Sequence, residues 1–287
     1  MTTLAGLRFS LAGPGRVGAS LAAWAEAAGA RLVSTARRGE AAALVTAGQD
    51  LLLVAVPDPA LAEAVAELAR HPQAAVVLHT SGSLGAEALA ALRAGGSAVG
   101  TLHPLKAFPR PLPEPDQAHG VFFALDGDPA AVELAGRLAA AWGGTSAVVP
   151  PDARPLYHLA ATLAAGGVVT LLAVAEELAG RLALGPAAAG AVVAGYLELA
   201  RGALTAAREA HAEGLPLGAA LTGPAARGDR ATVLRQLETL GAIDPDQARL
   251  AARLARATLA QKVRADASAA TALEDLAADL ARLDPAG

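Results

Sequence analysis

The chain contains no cysteine, one methionine and only 3% aromatic residues. Without thiols it has no disulfides and no thiolate metal sites, a usage that fits a reducing compartment. Lysine is almost missing as well: Lys106 and Lys262 are the only two, and arginine carries the rest of the positive charge. A formal net charge of −4 leaves no basic footprint for nucleic acid. No cationic segment precedes an apolar stretch at the N-terminus, so no signal peptide is read and the chain is expected to be cytoplasmic. His71, His79, His119 and His211 share no ligand spacing, so no metal is expected.

What is abundant is apolar: 54% of the 287 residues are hydrophobic. The longest uncharged stretch, Pro155 to Ala175, is long enough to span a bilayer. Much of it is Ala and Gly, it contains His158, and Glu176 and Glu177 follow without an aromatic anchor. A buried helix explains it better than a membrane span.

The chain is organised around Arg8 to Arg38. An apolar run turns through Gly13-Pro14-Gly15-Arg16-Val17-Gly18, continues as an alanine-rich helical pattern, and returns to a second apolar run at Arg31 to Thr35. That is a βαβ outline with glycines at the G-x-G-x-x-G spacing. The first glycine permits the tight turn, the second lets backbone approach a pyrophosphate, and the third lets helix and strand pack closely. The helix N-terminus then meets the phosphates with free N–H groups. The bland alternative is a glycine-rich turn with no ligand.

From Arg8 to Pro150 apolar runs alternate with helical patterns, at Leu7–Ala12, Arg31–Thr35, Asp50–Val56, Ala75–His79, Ser97–Leu102, Gly120–Leu125 and Thr145–Val149. Continuous runs such as LLLVAV suit a parallel sheet covered on both faces. Residues 1–150 therefore read as a doubly wound α/β dinucleotide-binding domain with a mostly parallel sheet. After Pro150-Pro151 strand signals stop, and residues 151–287 read as an all-helical substrate and dimerisation domain. Its helical patterns run Asp152–Leu184, Ala187–Ala212, from Asp244-Pro245 to about Arg264, and Leu273–Leu283. Helices apolar around their circumference, as at Ala160–Ala175 and Ala187–Leu197, must be covered, so a homodimer through them is expected.

Several polar residues stand where chemistry is expected. An NAD site would carry an acid at the end of the second strand, but that region reads Ser34-Thr35-Ala36-Arg37-Arg38. Two arginines suit the 2′-phosphate of NADP, with NAD less favoured; otherwise they solvate a loop. Val56 and Pro57 leave the third strand beside the cofactor crevice. Ser81 ends the fourth, either contacting cofactor or capping the segment after it. His103, fixed by Pro104 at the end of the fifth, either donates to a substrate or caps local backbone. Arg154, Tyr157, His158 and Thr162 share one side of the long helix. Leu221 to Arg230 offers Thr222, Gly223, Arg227 and Asp229 together, as an anion site or as an ordinary turn with Asp229 capping the next helix. Gly82-Ser83-Leu84-Gly85 lacks the spacing of a hydrolase nucleophile elbow.

The ordered set GPGRVG, VAVPD, HTSGS, HPLKAF, YHLAAT and LTGPAARGD resembles a bacterial family of predicted oxidoreductases. Its members join a Rossmann-like NADP-binding domain to a helical C-terminal domain of unknown function. That family is similar to pyrroline-5-carboxylate reductase, ketopantoate reductase and the β-hydroxyacid dehydrogenases. The resemblance implies that His103, Tyr157, His158, Thr222, Arg227 and Asp229 line the substrate site and that the helical domains dimerise. It implies an NADP-dependent oxidoreductase without supplying the substrate; the leading reading of the chain as a whole is hydride transfer to or from a small carbonyl, imine or hydroxy compound that bears a carboxylate. The chain departs from the family pattern at Ala107, usually polar, at Arg154, often Lys, and at Gly166, usually Asn. Those departures keep open a dinucleotide-binding sensor or scaffold that lacks turnover.

Overall fold

The computed structural model describes residues 3–44, 49–71 and 74–283. It divides into two compact units, Met1–Val169 and Thr170–Gly287.

In the first unit, β1 (Arg8–Ala12), α1 (Arg16–Ala27), β2 (Arg31–Ala36), β3 (Leu51–Val54), α2 (Asp58–Leu68), β4 (Val76–His79), α3 (Ala90–Ala94) and β5 (Ala98–Pro104) follow in order. β6 (Phe122–Gly127), α4 (Pro129–Ala141), β7 (Thr145–Val148) and α5 (Arg154–Thr162) complete it. The strands form one seven-stranded sheet in the order β2-β1-β3-β4-β5-β6-β7. All pairs are parallel except β5 with β6, where Gly100 faces Gly127 and Pro104 faces Phe123. The connection between those strands is rich in proline and holds only a short 3₁₀ turn at Pro115–Ala118, so it provides no crossover helix and the chain runs back antiparallel.

Every residue of β3 is buried because the sheet is covered on both faces. Leu51 and Leu53 join Phe9, Trp24, Phe123 and Trp142 beneath α1 and α4. Leu52 and Val54 join Leu61, Val65, Val77 and Val99 beneath α2. The alternation has period two, but both phases are apolar, hence the unbroken run LLLV. Few aromatics are present, and they are concentrated: Trp24 and Trp142 lie 5.9 Å apart edge-on, with Phe123 5.4 Å from Trp142. Removing a ring from this cluster costs about 3–5 kcal/mol.

The first unit extends past Pro150 to Val169. Compositional change marks Pro150-Pro151, whereas packing follows Arg154, whose side chain is fully buried. After α5 a π-helical turn at Leu163–Gly167, containing Gly166 and Gly167, interrupts what the sequence reads as one continuous helix.

In the second unit, α6 (Val168–Gly180) runs on across the division and is followed by α7 (Pro186–Ala212), the short α8 (Gly223–Ala226), α9 (Arg230–Gly241), α10 (Pro245–Ala265) and α11 (Ala270–Leu283). Asp244 caps α10, accepting the N–H groups of Asp246 and Gln247, with Pro245 at the first position. Val233, Leu237, Ala252, Leu259, Leu273, Leu276 and Leu280 form the core. Helix α9, whose range is not read from the sequence, is the helix that Asp229 caps where that segment is read as a turn. The expected burial of Ala160–Ala175 does not occur within a single chain: Leu163 and Val169 are exposed, as are Leu197, Leu199 and Leu204 on α7. By length and composition Pro151–Gly180 and Pro186–Ala212 are apolar enough to cross a membrane.

Candidate active site

The three fingerprint glycines have three different surroundings. Gly13 follows β1 at φ +86°, in the left-handed region, and a Cβ there would stand 2.7 Å from the Ala55 carbonyl oxygen. A Cβ on Gly18 would collide with the Gly13 carbonyl oxygen, so helix and turn touch through bare backbone. Gly15 is the opposite case, with none of the described residues within 4 Å of a Cβ. It is the N-cap of α1, makes no side-chain capping bond, and no acid occupies the first turn. An uncapped, open N-terminus at the point where strand order reverses, between β2-β1 and β3, suits a pyrophosphate. Arg16 reaches away to the Pro109 carbonyl, 3.4 Å from its Nη1, and Val17 packs against the core.

Beside this turn lies a cavity of about 470 Å³, lined by Gly13, Pro14 and Gly15 after β1, Arg37 and Arg38 after β2, and Val56 and Pro57 after β3. Its far wall is α2. There Glu63 pairs with the Arg38 guanidinium, and Glu67 accepts the backbone N–H groups of Gly39 at 3.3 Å and Ala41 at 3.1 Å. Glu40 accepts the Arg37 N–H at 2.8 Å. The loop after β2 is therefore tied to the carboxylates of α2. Sequence reading missed both, although Glu63 and Glu67 sit four apart on the face of α2 opposite Leu61, Val65 and Leu68.

A second cluster gathers where β4 and β5 end on the same edge of the sheet. His103 Nδ1 and the Tyr157 hydroxyl are hydrogen-bonded at 2.9 Å, and the two rings meet edge-on. The His158 ring stands 5.7 Å from that of His103, nearly perpendicular. Both imidazoles rest on Gly82: a Cβ there would lie 2.7 Å from His103 Nε2 and collide with His158 Nδ1. His158 Nδ1 is buried and has no hydrogen-bond partner among the described residues. Burial, followed by the neighbouring His158 and Arg154, pushes the His103 pKa down to about 4, so the ring is neutral at pH 7. Burial raises that of Tyr157, which keeps its proton.

Below the rings, the fully buried Arg154 donates to Thr101 Oγ1 and to the Ser81 carbonyl oxygen, 3.3 Å away, with Asp126 3.9 Å from its Nε. His79 is fully buried; its Nδ1 accepts the Ser81 N–H and its other nitrogen bonds the Gly85 carbonyl, with burial pushing its pKa to about 4. Ser81 is turned inward, its Oγ accepting the Leu84 N–H at 3.0 Å, so the side chain holds the loop after β4. Gly82 and Arg154 are the members of this cluster whose roles the sequence hides; a glycine following a strand end was the only signal for the first.

In the second unit, Asp229 caps α9 by accepting the Thr232 N–H at 3.1 Å. Thr222 is the N-cap residue of α8, and Gly223 takes φ +92°. Among the described residues no group of His, Asp or Glu is arranged to hold a metal ion.

Comparison with known proteins agrees with this layout. Residues 6–104 match the model of a Rossmann-like domain, and residues 121–258 match a domain of unknown function, DUF2520. The chain joins a Rossmann-like domain to a DUF2520 domain. No curated protein matches it. Among solved structures, a candidate NADP oxidoreductase from Bacteroides fragilis is 22% identical with a TM-score of 0.68, covering 88% of this chain and 97% of that one. Protein TM1727 from Thermotoga maritima is 19% identical, TM-score 0.63, covering 94% and 98%. Pyrroline carboxylate reductase from Plasmodium falciparum, solved with NADP bound, is 12% identical, TM-score 0.56, covering 88% and 98%. At these identities the Rossmann–DUF2520 chain shares their fold.

Proposed function

We propose that the protein is a dinucleotide-dependent oxidoreductase that prefers NADP(H) and moves hydride to or from a small carbonyl, imine or hydroxy compound bearing a carboxylate. The observation that carries this reading is the glycine turn, closed at Gly13 and Gly18 and open only at Gly15. The names of the structural neighbours support it as well. Gly13, Pro14, Gly15, Arg16, Val17 and Gly18 would hold the pyrophosphate, Arg37 and Arg38 the 2′-phosphate, and Val56 and Pro57 the near wall. The bound nicotinamide supplies the hydride.

The chain's part is the proton. A neutral His103 is no imidazolium donor at pH 7; it acts as a hydrogen-bonding ring oriented by Tyr157. The proton exchanged with the substrate oxygen or nitrogen passes at His158 Nδ1, or is relayed through His103, which gives it at Nε2 while taking one at Nδ1 from the Tyr157 hydroxyl; the two nitrogens converge over Gly82. Thr222 and Arg227 are proposed to hold the substrate carboxylate, with Gly223 and Asp229 shaping that loop. Fluorescence titration with NADPH and NADH tests the first step: Arg37→Ala should lose the preference for NADPH, and an absence of binding to either nucleotide would overturn the reading.

A dinucleotide-binding sensor is the second reading, favoured by Arg154, which departs from the pattern of the family the sequence resembles and whose buried guanidinium does not exchange a proton. Tight NADPH binding without oxidation across a panel of keto acids and cyclic imines would select it. For the exposed leucines of α6 and α7 we propose a second copy of the chain as the cover. Light scattering on detergent-free protein should give a dimer mass; a monomer, or recovery only with detergent, would contradict this.

A further inference from the structure

The cavity wall formed by α2 carries charges opposite to those a 2′-phosphate requires. Arg37 and Arg38 line it together with Glu63 and Glu67, so the lining charges cancel. A phosphate monoester brings roughly −1.5 to −2 more near neutral pH. Glu67 is committed to the loop backbone through Gly39 and Ala41. Glu63 is not: its carboxylate contacts the Arg38 guanidinium in a two-pronged pair, with Nε 3.2 Å from Oε1, and both side chains are largely exposed. The same pairing raises the pKa of Arg38 and lowers that of Glu63, through the hydrogen bond first and charge second. Glu63 thus sits on the cation to which a 2′-phosphate would bind. It is also a carboxylate inside the cavity, the group that a ribose 2′-hydroxyl ordinarily meets in an NAD site. The end of β2 offers no such acid, and α2 supplies one from across the cavity.

We propose that Glu63 sets the dinucleotide preference, competing with the 2′-phosphate of NADP(H) for Arg38 and accepting the 2′-hydroxyl of NAD(H). The proposal rests on the reading of this cavity as a dinucleotide site. Arg37, whose guanidinium has no carboxylate partner among the described residues, draws the phosphate in; Glu63 opposes it.

The test is titration of NADPH and NADH against the wild-type chain, Glu63→Gln, Arg38→Ala and the double variant at one ionic strength. An exposed ion pair is weak and screened, so its removal is read as at most about a fivefold change in affinity. Glu63→Gln should tighten NADPH about fivefold without tightening NADH, and in the Arg38→Ala background its effect should fall below about twofold. An unchanged NADPH/NADH ratio in Glu63→Gln overturns the proposal, as does an equal shift with and without Arg38, which would make Glu63 a distant charge and no competitor. Wild-type protein that binds neither nucleotide overturns the cavity reading itself, a result distinct from either of these.

Discussion

His103 Nδ1 and the Tyr157 hydroxyl are hydrogen-bonded at 2.9 Å, joining the end of β5 to the first turns of α5. Replacing Tyr157 with Phe keeps the ring and removes this bond. Stability should fall by about 1 kcal/mol. Turnover of whichever keto acid or cyclic imine is accepted should drop by about 10²-fold with NADPH affinity unchanged, if the His103–Tyr157 pair handles the proton. Equal kcat in Tyr157→Phe would leave the proton to His158 alone.

Arg154 is the largest polar side chain sealed inside the first unit. Arg154→Met removes the donor to Thr101 and the Ser81 carbonyl and leaves Asp126, itself 8% exposed, without its nearby cation. The expected cost in urea unfolding is about 3 kcal/mol, because unpaired buried groups remain behind. A cost below about 1 kcal/mol would show that Arg154 does not hold the β4 and β5 ends together.

The two buried histidines make stability depend on acid. His79 and His103 have folded-state pKa values near 4, below the ordinary value of 6.5. Below pH 6.5 the unfolded chain takes up protons that the folded chain refuses, so stability falls as pH drops from about 6.5 to about 4, by on the order of 3 kcal/mol for each ring. Above 6.5 neither state protonates these rings and their contribution is flat. Chemical denaturation between pH 4 and 8 checks this; in His79→Phe or His103→Phe that folds, the slope over the acid window should flatten.

The sheet could be read from the sequence because burial on both faces writes each strand as an unbroken apolar run, and the seven runs Leu7–Ala12 to Thr145–Val149 became β1 to β7. The glycine turn is equally local, each residue acting within its own βαβ unit. The imidazole cluster is different in kind. His103, Tyr157 and His158 could each be singled out, but their meeting over Gly82 depends on the β4–β5 register, with His79 opposite Thr101, and on how α5 is anchored by Arg154. Glu63 was invisible for the same reason, since its partner Arg38 is set by the packing of α2 on the sheet. Helix α9 showed only through its cap, Asp229, and a compositional boundary at Pro150 said nothing of Arg154 being sealed within the first unit.

The most direct test uses Gly15. A methyl group there meets none of the described residues, so Gly15→Ala should fold with an unchanged melting temperature; the space it fills is that proposed for the pyrophosphate. NADPH titration of wild type and Gly15→Ala should show a loss of affinity of at least about tenfold at equal stability. Equal affinity in the two proteins would contradict a pyrophosphate lying over Gly15.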